Sequence, residues 1–186
     1  MQQEVRKTPS PVSHPAVSDD AFPEWKYKFI LRKLALKRGE RVLVISPCDE
    51  IFVRMLAQQV GELGRIDILT DHVMKSAMLK QQYADLPSVQ VLVRGPAVRS
   101  VDYQAVVWLG ATTESGSDMA REIQFSWRLL AKCGRLLLAI PQQQTDSAEA
   151  LHEAMEIGNG LGFVTRMRRC CDDHRLWIGV KYLCKT

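Results

Sequence analysis

No stretch of this chain approaches the roughly 18 consecutive apolar residues of a membrane-spanning helix, so membrane insertion is not expected. The N-terminus is polar and lacks the apolar core of a secretory signal, which points to a cytoplasmic protein. The five cysteines are an odd number and none stands in a Cys-x-x-Cys pair. That spacing argues against a disulfide framework. It favours reduced thiols, with Cys48, Cys133 and Cys184 set among core-like residues. An excess of one charge is also missing: the net charge of +4 is mild and does not by itself imply nucleic acid. Repeats are absent, and low complexity is confined to the first residues.

What is present is apolar material enough for a packed core, 46% of 186 residues, most simply one domain spanning 22–186. Residues 1–21 hold prolines, serines and scattered charge and are expected to form a flexible arm. The stretch RVLVISPCDEIF, Arg41 to Phe52, organises the rest. Val42, Leu43, Val44 and Ile45 form an unbroken aliphatic run, suited to a strand buried on both faces. Phe52, Met55, Leu56, Val60 and Leu63 then recur at helical spacing, with Gly64 placed to end the helix. Strand, tight turn and helix open a nucleotide-type α/β fold.

Before this stretch, Trp25, Phe29, Ile30 and Leu34 predict a helix over 22–37, decorated by Lys26, Lys28, Arg32, Lys33, Lys37 and Arg38. That basic set reads first as a solvated face and second as a binding surface. After it come strands over 65–70, 89–93, 105–109 and 135–140. Helices are expected over 73–84 and 118–132, the latter capped within 115–117 and burying Met119, Ile123, Trp127 and Leu130. The link over 94–103 is too short for a long covering helix. Asp146 and Glu149 resemble a capping box for a helix to about Ile157, after which Gly158, Gly160 and Gly162 loosen the chain. Strands over 163–170 and 175–184 form an antiparallel hairpin. The expected fold is α/β: a seven-stranded, mostly parallel sheet with helices on both faces and a C-terminal antiparallel hairpin.

In order and spacing, LKRGERVLVI, VGELGRIDIL, YQAVVWLG and LLAKCGRLLLAIP resemble the class I S-adenosylmethionine-dependent methyltransferases. The likeness runs from about Leu34 to Cys184. It implies a last strand inserted antiparallel between the fifth and sixth. It also implies a cofactor seated on Ser46, Cys48, Asp71, Leu109 and Gly110. Three marks of that site are altered. The glycine-rich turn after the first strand is replaced by Ser46, Pro47, Cys48, Asp49 and Glu50; glycines there would let the backbone approach the cofactor. Asp49 and Glu50 suit the helix dipole but compete with an anionic ligand. The ribose-binding acid falls on Thr70, with Asp71 one step later; Asp71 either takes that role or caps the next helix. Pro96 stands where an acidic residue would face the adenine.

Other constellations are thin. His72, beside Asp71, reads as a surface helix start before it reads as a base; His14 and His152 have no evident partners. Cys170, Cys171 and His174 fail as a metal site, because adjacent strand residues face apart and no second ligand pair has zinc spacing. Cys48 has no evident base to activate it. Arg166 and Arg168 are expected on one strand face with Lys181, as a charged sheet edge or as a contact for RNA phosphates or an acidic protein. Trp108 reads as wall packing, an interface anchor or a substrate mouth. The reading that follows is a methyltransferase-like pseudoenzyme without cofactor, metal or catalytic residues, serving a protein assembly. The alternative is an active enzyme that uses S-adenosylmethionine.

Overall fold

The computed structural model describes residues 24–45, 49–95, 98, 102–111, 116–143, 146–171 and 173–182. The N-terminal arm, Ser46, Pro47, Cys48, Pro96, Ser115 and Cys184 lie outside them.

The aliphatic runs form the centre of one sheet. Strands β1 (Arg41–Ile45), β2 (Arg65–Thr70), β3 (Val89–Val93), β4 (Tyr103–Leu109), β5 (Leu130–Pro141), β6 (Phe163–Cys171) and β7 (His174–Lys181) lie in the order β3-β2-β1-β4-β5-β7-β6. All pairs from β3 to β5 are parallel, and β7 runs antiparallel between β5 and β6. This is the expected architecture, including the inserted last strand. Only residues 94–102 join β3 to β4, as their shortness required.

Alternation along the strands divides the core into two layers. Val42, Val44, Ile66, Ile68, Val107 and Ile178 face α1 (Glu24–Leu34), α2 (Glu50–Val60) and α3 (Val73–Gln82). Leu43, Ile45, Val106, Leu138 and Trp177 face α4 (Gly116–Leu129) and α5 (Ser147–Leu161). Helices therefore cover both faces of the sheet.

Tertiary contacts moved several local expectations. Helix α2 stops at Val60, with Gly61 as its C-cap at φ 68°, and Leu63 is 92% exposed. Gly64 is needed instead for closeness, since a side chain there would strike Val60. On α1 the buried stripe is Tyr27, Ile30, Leu31 and Leu34, which leaves Trp25 on the flank. Asp146 takes a left-handed conformation and makes no capping bond, so the expected capping box does not form. Helix α5 continues through Gly158 and Gly160 and ends at Gly162, φ 98°. Cys133 is exposed in the irregular start of β5, at φ 61°, because four residues there fall outside the β4 pairing. No helix among the described residues is long and apolar enough to cross a membrane.

Candidate cofactor cleft

Parallel pairing sets the C-terminal ends of β3, β2, β1 and β4 side by side. Asp71, Asp49 and Gly110 thus share one edge of the sheet. Asp49 caps α2: its Oδ1 accepts from the Ile51 amide at 2.7 Å. Glu50 accepts from Arg54 Nε at 2.8 Å and Gln82 Nε2 at 2.9 Å. Hydrogen bonds from Gln82 and Arg54 hold its carboxyl below the ordinary glutamate range. Both acids therefore stand at the end of the helix where an anion would sit.

Asp71 neither caps α3 nor stands free. The N-cap is His72, which makes no side-chain capping bond. Asp71 Oδ1 instead accepts from Arg94 Nε at 2.5 Å. Arg94 sits just past β3 and also reaches Glu122 of α4, Nη2 to Oε1 at 2.8 Å. Its guanidinium lies 4.7 Å from the centre of the Phe125 ring. Burial tends to lower the basicity of Arg94, but its two carboxylate partners reverse that and raise it. Glu122 is pushed up by burial, with Arg94 opposing. Its Oε2 is buried and finds no hydrogen-bond partner among the described residues. The chain thus strings acid, guanidinium and acid from the end of β2, past the end of β3, to α4.

Of the remaining expected site residues, Leu109 has its side chain buried in the layer under α1 and α2, so only its backbone faces the cleft. Gly110 adopts φ 69°, and no described residue lies within 4 Å of where a side chain would begin. Ser46 and Cys48 are outside the described residues. Trp108, 9% exposed, is wall packing in the layer under α4 and α5.

Sequence reasoning missed Arg94 and Glu122. A signal for Glu122 existed: it falls between Met119 and Ile123 on the buried stripe of α4, where an acid needs a cation.

A second charged group lies at the same end of the sheet. Lys26, expected on a solvated face, is 3% exposed and donates to Asp173 in the β6–β7 turn. His174 Nδ1 is 2.9 Å from the same carboxylate. Burial raises the Asp173 pKa, but Lys26 and His174 outweigh it and bring the group down to about 2. A depressed carboxylate stabilises the fold above its unfolded pKa, and that contribution is lost as pH falls through the folded one. The stability gap between wild type and Asp173→Asn is therefore expected to be constant above about pH 4 and to close towards pH 2. Urea unfolding across that range checks it; a gap independent of pH would remove the ion pair from the account.

No protein-family model and no curated protein matches the sequence. Solved structures do match in shape. A SAM-dependent methyltransferase from Aquifex aeolicus superposes with TM-score 0.69 at 14% identity, over 83% of this chain and 88% of that one. Aeropyrum pernix fibrillarin with natively bound S-adenosyl-L-methionine gives 0.64 at 15%, over 77% and 67%. A complex between the Haloferax volcanii Trm112 methyltransferase activator and a methyltransferase gives 0.64 at 15%, over 84% and 90%. At these identities the likeness establishes the fold, which is that of the class I methyltransferases.

Proposed function

We propose that this chain is a methyltransferase fold turned to a non-catalytic use, a cytoplasmic structural or regulatory subunit of a protein assembly. The observation that carries the reading is the Asp71–Arg94–Glu122 string. A carboxylate that grips ribose hydroxyls must have its oxygens available, and Asp71 spends one on Arg94. With Asp49 and Glu50 at the end of α2, these residues do not fit S-adenosylmethionine as the fold family holds it. The complex of a related fold with a protein activator is in keeping with a partner-binding role.

Isothermal titration with S-adenosylmethionine is expected to show nothing tighter than millimolar, whereas an open site binds micromolar. Micromolar binding by the wild type overturns the proposal. Gly110 supports a second reading, because its positive φ, with no described residue within 4 Å of a side chain there, keeps the form of a cradle. On that reading the chain is an active methyltransferase using Ser46, Cys48, Asp71, Leu109 and Gly110. Labelled methyl transferred to a cell extract, and abolished by Asp71→Ala, is its signature.

A further inference from the structure

The exposed arginines of β6 were expected to share a face, and they do not. The pairing of β6 with β7 shifts register between Thr165 and Met167. A bulge of this kind re-aims the side chains beyond it. Arg168 lies opposite Trp177, whose ring belongs to the layer under α4 and α5. Arg169 lies opposite Leu176, in the layer under α1. Arg166, at the bulge, joins Met167, Ile178, Arg32 and Lys33 around a groove of about 270 Å³ between α1 and the sheet edge. Lys181 leaves the set altogether: its ammonium donates to the Trp127 and Leu130 carbonyls at 2.8 and 2.6 Å.

Three cations, Arg32, Lys33 and Arg166, therefore line the groove, and a fourth, Arg169, stands beside it over Phe29. None of these four has a carboxylate within ion-pair distance among the described residues. The acids towards the start of α1 are already matched, Glu24 by Lys28 and Asp173 by Lys26. Phe29 organises the cations. Arg169, Lys33 and Arg32 stand 5.2, 5.6 and 5.9 Å from its ring centre. One turn earlier on the same helical face, Trp25 is 52% exposed. Lys26 Nζ lies 5.6 Å from the Trp25 ring centre, and half of the side chain stays exposed. Cations along a groove with an exposed aromatic ring on the same helical face form the combination that tracks a phosphate chain while a base stacks. An acidic peptide would use the cations but has no need of the tryptophan.

We propose that the groove between α1 and β6 binds single-stranded nucleic acid through Arg32, Lys33, Arg166 and Arg169, with Trp25 as a stacking platform. The surface lies apart from the cofactor cleft, so this inference stands whether or not the cleft is closed.

The test is fluorescence anisotropy of the full chain with a labelled single-stranded RNA of about a dozen nucleotides. Four phosphate contacts predict a slope of log affinity on log salt of about −3. Arg166→Glu with Arg169→Glu is expected to weaken binding at least about tenfold and to flatten that slope by more than 1. Arg168→Glu, on the same strand but the opposite face, shows the effect of reversing one charge off the groove and leaves the slope nearly unchanged. Trp25→Ala costs about tenfold without altering the slope. Circular dichroism of each variant confirms folding. The proposal is overturned by absence of binding at low salt, by Arg168→Glu acting as strongly as the groove pair, or by an oligoglutamate displacing the RNA at equal charge.

Discussion

Arg135→Ala is expected to lower the stability of the fold by about 3–5 kcal/mol, the cost of stripping one partner from a buried ion pair. The arginine is 8% exposed and joins four segments. Its Nη1 donates to the Leu34 and Ala35 carbonyls at 2.6 and 2.8 Å, which closes the end of α1. The same group reaches the Gln104 carbonyl from Nε at 3.3 Å and both Glu40 oxygens from Nη2 at 2.9 and 2.8 Å. Ala35 turns left-handed at φ 49°, so the last carbonyls of α1 point away from any continuing helix and towards this guanidinium. Alanine would orphan those carbonyls and leave Glu40 without its cation. For a domain of this size the loss corresponds to roughly 10 °C in melting temperature. Glu40→Ala is expected to cost less, because Arg135 keeps its three carbonyl partners. The double variant should be better than the sum of the singles by about 1–2 kcal/mol. Thermal and urea unfolding of the cycle measure this; an Arg135→Ala loss under about 1 kcal/mol would mean the guanidinium is replaceable by water.

Gly158→Ala and Gly160→Ala are expected to move stability in opposite directions, although they lie two residues apart in α5. A side chain on Gly158 would come within 2.3 Å of Cη2 of Trp177. That ring cannot swing aside. It is fully buried, meets Phe163 edge to face at 5.7 Å, and donates from Nε1 to Thr165 Oγ1 at 3.0 Å. Gly179 limits it further, with a notional Cβ 2.6 Å from Cζ2. Either the helix lifts from the sheet or the tryptophan loses its place, at a cost of about 3 kcal/mol. Gly160 meets no described residue within 4 Å and lies in the helical span, so alanine there should add about 0.5–1 kcal/mol. Equal effects at the two positions, read by chemical unfolding, would contradict the close packing of α5 on Trp177.

The scaffold was legible because its signals are local. Val42 to Ile45 read as a doubly buried strand, and the structure buries all four. The brief connection before His174 required a hairpin, and β6 and β7 pair antiparallel. Individual caps were less legible: Gly64 was expected to end α2, and the structure ends it at Gly61 instead. The charges beside Asp71 were not legible. Asp71, Leu109 and Gly110 lie at the C-terminal ends of β2 and β4, as the strand order dictates, but the partner of Asp71 was not foreseen. Arg94 carries no motif of its own, and its position past β3 matters only because that strand lies beside β2.

By itself, the sequence determined the order and kind of the elements, the parallel sheet with its reversed last strand, and the absence of glycine from the turn after β1. Burial periodicity and turn chemistry are written within a few residues, and they suffice for that much. Only the tertiary structure decided which charges meet. Asp71 and Arg94 are 23 positions apart, and Lys26 and Asp173 are 147 apart. A buried charge keeps its place only where the fold supplies an opposite one, and no local pattern names that partner. The bulge in β6 acts in the same way: one extra residue turns Arg166 and Arg168 to opposite faces, and only the pairing with β7 reveals it.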